Sequence, residues 1–140
     1  MKRAFLTTGL IILATLAVPA TADDARTVYG SASAVRMLAP YLNLIQSKGD
    51  VEIVASPSGT GQLVLDVLDG KTSVAAIAMP LPHAVAAARV AAWEEHRMLI
   101  IPESLEFHPV AALSGTGAPV GFVTLGAPPA SLQKVLAELR

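Results

Sequence analysis

The chain contains no cysteine. That excludes disulfides, thiolate metal sites and thiol nucleophiles, and it excludes anchoring through a lipid-modified cysteine. Aromatic residues make up only 4% of the 140 positions, and 10 Lys and Arg stand against 11 Asp and Glu. A chain with no basic excess and few rings to stack on bases is not expected to bind nucleic acid. His83, His96 and His108 lack the close spacing of metal ligands. His83 falls at a helix start, His96 lies beside Glu94 and Glu95 on an expected surface, and His108 sits in an apolar stretch. The sequence shows no Ser-His-Asp order, paired carboxylate constellation or phosphate-loop lysine. We therefore expect no enzyme, no catalytic residue, no metal and no cofactor.

The most apolar run is at the N-terminus. Lys2 and Arg3 precede Ala4–Val18, and Pro19-Ala20-Thr21-Ala22 follows with small residues at the usual cleavage spacing. This pattern predicts a secretory signal peptide over residues 1–22, since the run is shorter than the roughly 20 residues that a membrane span requires. Export without disulfides fits a bacterial periplasm. Asp23–Arg140 then forms one domain of about 118 residues, long enough for a single core. Without Lys2 and Arg3 it carries 8 basic and 11 acidic residues, a net charge of −3.

The domain is organised around Val51–Gly61. Val51, Ile53 and Ala55 alternate onto one face of a strand, and Pro57, Gly59 and Gly61 break it before a helix from about Gly61 to Leu68. A Ser-Gly-Thr-Gly turn at a helix N-terminus gathers backbone N–H groups and hydroxyls around one point, which suits an anion. Before it come a strand at Thr27–Tyr29, a loop at Gly30–Ser33, and a helix over Ala34–Lys48 capped by Ser33, interrupted by Pro40 and ended by Gly49. After it, Gly70 closes the second helix, and Val74–Ala78 reads as a strand buried on both faces. Pro82 opens a third helix, His83 to about Arg97, with Trp93 expected in the core. Leu99–Ile101 and Phe107–Leu113 are weaker strand candidates. Ser114–Gly117 reads as a hairpin turn, Val120–Leu125 as a strand, and Ser131 caps a last helix. The repeated strand–helix order predicts an α/β fold with a mostly parallel sheet and flanking helices. In such sheets ligands lie beyond the carboxyl ends of the strands, where Gly30–Ser33, Ser56–Gly61 and Met79–Leu81 would meet.

These segments resemble the phosphate-type periplasmic substrate-binding proteins. Tyr29-Gly30-Ser31-Ala32-Ser33 is similar to that family's first ligand loop and Val51–Gly61 to its second. Asp69–Leu81 is similar to the segment that leads into the third loop. Val120–Leu125 followed by Pro129–Leu136 is similar to the later strand and helix. The resemblance implies one lobe of a type II periplasmic-binding-protein fold. It also implies a small oxyanion such as phosphate as ligand, held by Ser31, Ser33, Ser58, Gly59 and Thr60, and a membrane transporter of the ABC type or a sensor as partner. Two features depart from the family. The third loop, Ala78-Met79-Pro80-Leu81, lacks the carboxylate that accepts a hydrogen bond from protonated phosphate. The length accounts for a first lobe only, so the second lobe with its arginine-bearing loop is expected to be absent. Those departures support an alternative, a periplasmic interaction or sensory module that keeps the single-lobe fold and meets another protein or its own copy.

Overall fold

The computed structural model describes residues 26–115 and 117–140. The expected signal peptide lies outside the described residues. Five strands and five α-helices follow in chain order: β1 Thr27–Gly30, α1 Ala32–Leu38, α2 Leu42–Gly49, β2 Glu52–Ala55, α3 Thr60–Leu68, β3 Ala75–Ile77, α4 Leu81–Glu94, β4 Leu105–Pro109, β5 Gly121–Leu125 and α5 Ala130–Glu138. The sheet order is β2-β1-β3-β5-β4. One apolar layer, including Val28, Leu38, Ile45, Phe122, Leu132 and Leu139, lies between the sheet and α1, α2 and α5. A second, including Leu63, Val64, Ile77, Ala88 and Val123, lies between the sheet and α3 and α4.

The fold is α/β with flanking helices, but the expectation of a mostly parallel sheet is corrected. β1 pairs in parallel with β2 and β3, whereas β5 is antiparallel to both β3 and β4. The reason is connection length. A right-handed crossover through a helix can place the next strand parallel, but the short link from Pro109 to Gly121 can only return the chain antiparallel. The Ser114–Gly117 turn belongs to that link, which also contains a 3-10 turn at Ala111–Leu113. Leu99–Ile101 forms no strand.

Helix boundaries move for identifiable reasons. Pro40, expected to kink the first helix or delay its start, instead divides it through a 3-10 turn at Ala39–Tyr41 that separates α1 from α2. The cap of α1 is Ser31 and not Ser33. Ser31 is extended, and its Oγ accepts from the Ala34 N–H at 3.1 Å, so the helix starts earlier and Ser33 falls in its first turn. Likewise α5 starts at Ala130 after extended Pro129, so Ser131 is inside the helix and not its cap. Gly49 is the last helical residue of α2, and the left-handed position falls on Asp50, at φ 54.

α3 and α4 end in the same way, with different residues. Beyond α3, Gly70 has φ +76, its N–H donates to Val67 O, and Lys71 N–H donates to Asp66 O. Beyond α4, His96 has φ 59, its N–H donates to Trp93 O, and Arg97 N–H donates to Ala92 O. Both are Schellman closures with a left-handed residue after the cap. The second stops α4 at Glu94, short of the Arg97 expected from sequence. Arg97 then clamps Asp69 through two hydrogen bonds of 2.7 and 3.0 Å, which ties the two helix ends together.

The helices themselves approach closely. A Cβ at Gly61 would lie 2.4 Å from the carbonyl oxygen of Ala87, and the facing stripe of α4 is Ala84, Ala88 and Ala92, all buried. This contact corrects the expectation for Trp93. It follows Ala92, about 100° further round the helix, and points away from α3. Trp93 is 79% exposed.

Candidate functional site

Three strand-to-helix turns meet at the carboxyl ends of β1, β2 and β3. β1 ends at Gly30, and the chain is held at once: Ser31 N–H donates to Ala76 O at 3.0 Å, and Ser56 N–H donates to Gly30 O at 2.8 Å. These two bonds extend the parallel ladders by one residue each, so the first turn is pinned to both neighbours. The second turn folds on itself, with Ser58 N–H donating to Ser56 Oγ at 3.1 Å. That local bond is the hydroxyl-to-backbone turn that serine favours in loops. The third turn, Ala78-Met79, supplies an apolar wall before Pro80 caps α4.

Together they enclose an open cleft of about 270 Å³. Its lining contains every residue expected from the sequence to hold a ligand: Ser31, Ser33, Ser58, Gly59 and Thr60. The cleft also contains Ser56, which is not among the expected ligand residues. The signal for Ser56 was available, since it is the first residue past a strand in a small-residue loop.

The donors differ in what they have left to give. Ser31 Oγ and Ser56 Oγ each accept a backbone N–H, and each keeps its own hydroxyl proton for another acceptor. Among the described residues, the hydroxyls of Ser33, Ser58 and Thr60 make no hydrogen bond within the protein. The Ser58 N–H is already used. Gly59 caps α3 with no side chain, so no side-chain oxygen takes up the first-turn N–H groups of that helix. The positive end of the α3 dipole therefore opens on the cleft. Among the described residues no charged side chain lines it.

The histidines lie elsewhere. His83 and His96 are exposed on α4 and just beyond it. His108 is half-buried on β4, 2.9 Å from Thr124 Oγ1. Thr124 spends its own proton on Gly126 O at 2.7 Å, so His108 Nε2 must be the donor in that pair. Burial holds the His108 imidazole below its usual pKa, against a smaller opposing pull from the Glu106 carboxylate. Among the described residues no group of three or more His, Cys, Asp or Glu side chains is placed to hold a metal ion. No described helix is long and apolar enough to cross a membrane. Comparison of the chain with protein-family models, with curated proteins and with solved structures finds no match.

Proposed function

We propose that this protein binds a small phosphate-like oxyanion in the cleft between the β1–α1, β2–α3 and β3–α4 turns. In this reading it is an exported substrate-binding protein, one lobe of a type II periplasmic-binding-protein fold, which serves an ABC-type uptake system in the periplasm. The observation that carries the reading is convergence. Hydroxyl donors from two separate turns and the uncapped N-terminus of α3 face one small space. A volume of about 270 Å³ holds a tetrahedral oxyanion with several waters, at about 30 Å³ per water.

The chemistry of the lining sets the expected behaviour. Every donor is neutral, so binding rests on hydroxyl and amide dipoles and not on the stronger contacts of a guanidinium. The open side leaves the anion partly hydrated. Affinity in about the millimolar range, near −4 kcal/mol, follows. Among the described residues no carboxylate lines the cleft, so a fully ionised anion meets no repulsion there and sulfate competes with phosphate. Titration calorimetry of the purified protein with phosphate, sulfate and molybdate tests this. Heat of binding is expected with all three at millimolar concentration, and silence with all three overturns the reading.

A second reading has its own support. The exposed apolar surface around Trp93 favours a periplasmic interaction or sensory module, which would keep the fold and use a protein partner in place of the anion.

A further inference from the structure

The end of α4 away from the cleft carries the most exposed of the large apolar side chains among the described residues. Val90 is 59% exposed, Trp93 79%, Met98 90% and Ile100 81%. Val90 and Trp93 are one turn apart on the outward side of α4, and Met98 and Ile100 follow the closure at His96. Trp93 and Met98, with Arg89, His96, Arg97 and Leu99, border a groove of about 610 Å³. Four such side chains expose on the order of 500 Å², near the upper end for a lone patch on a monomer.

Two contacts tie the segment after α4 to the helices: Arg97 pairs with Asp69 and Glu95, and the Arg89 guanidinium donates to Leu99 O at 3.3 Å.

We propose that this surface is a two-fold interface, and that its occupant is a second copy of the same chain. An isologous contact needs both halves of each complementary pair within one patch. Here projecting Trp93 and Met98 border a hollow that can receive them. The rim carries both signs: Arg89 and Glu94 are exposed and form no ion pair among the described residues, while Arg97 is neutralised by Asp69 and Glu95. A partner surface of one sign would meet like charge on part of this rim, whereas a copy brings the same mixture. Arg89 and Trp93 lie one turn apart on the same flank of α4. An antiparallel two-fold pairing of α4 therefore brings the cation of one copy over the indole of the other, and the reverse. At about 500 Å², these side chains alone supply more than half of the roughly 800 Å² that each partner buries in a standard interface.

The inference does not depend on anion binding, and the test is run without added oxyanion. Light scattering after size separation, over a concentration series, should show the mass of the purified protein doubling. Trp93→Glu should hold it at the monomer mass with the melting curve of the wild type at dilutions where it too is monomeric, because the side chain is 79% exposed. The absence of native cysteine allows a second arm. Val90→Cys should give a covalent dimer on mild oxidation, and Ser47→Cys, on the exposed side of α2, should not. A monomer at every concentration, a dimer indifferent to Trp93→Glu, or equal cross-linking from both positions overturns the proposal. Loss of monomer only on addition of anionic lipid vesicles overturns it in favour of a membrane surface.

Discussion

The two ends of the α3–α4 pair face opposite tasks. At one end, small residues and hydroxyls open a neutral cleft at the carboxyl edge of β1–β3. At the other, the Schellman closures are clamped by Arg97 on Asp69, and Trp93, Met98 and Ile100 stand in solvent. Between them the helices touch through Gly61 and a stripe of alanines. The contrast teaches that one close packing contact positions two unlike surfaces. The small residues that bring the helices together supply little bulk for a core, and they leave the one tryptophan on the outside.

The largest test of that link is Gly61→Val. The added side chain has no room against the Ala87 carbonyl, and a loss of about 3 kcal/mol or more is expected, read by chemical denaturation. Both surfaces should fail together: no anion binding and no two-fold contact. A variant that keeps full stability would show that the ends are independent.

Next is Ser31→Ala, which acts on the cleft end alone. It removes the α1 cap, at about 1 kcal/mol, and one hydroxyl donor. Stability and phosphate affinity should both fall, and the far surface should keep its behaviour.

A smaller effect is expected from acidification. Burial lowers the folded pKa of His108 below its unfolded value of 6.5, so the unfolded chain binds the extra proton first. The stability due to neutral His108 is fully present above 6.5 and is lost as the pH falls below that value towards the folded pKa. Melting temperature should therefore decline on that acid side, and His108→Gln should flatten the decline. His108 lies at neither end, so both surfaces should show the same dependence.

How much of this was legible in the sequence follows the same contrast. The cleft end is local: strand, small-residue turn and helix succeed one another within about ten residues at Ile53–Leu63, and the residue types name each role. The three turns could be placed together because consecutive strand–helix units stack in parallel. The far end is not local. Gly70 announces the end of α3, but His96 takes the same left-handed position without a glycine to mark it, so sequence pattern alone overextends α4. The chemistry of Trp93 suggests the core, yet its side is decided by where α4 meets α3, which depends on Gly61, a residue 32 positions earlier. The turn at Ser114–Gly117 is legible, but the repeated strand–helix order of the first three units does not carry over to the antiparallel half of the sheet. Ser33 and Ser131 have the chemistry of caps, but Ser31 and Pro129 begin the helices two residues sooner.

The smallest change in stability, and the sharpest functional contrast, belongs to Ser58→Ala. Its half-buried hydroxyl has no partner among the described residues, so stability should stay within about 0.5 kcal/mol. Its effect should appear only in a phosphate titration followed by amide NMR. Signals of Ser31–Ser33 and Ser58–Gly61 should shift together at millimolar phosphate, those of Trp93 and Met98 should stay in place, and Ser58→Ala should weaken the response several-fold. Shifts confined to the Trp93 end, or none at either end, would contradict an anion site at the carboxyl edge of the sheet.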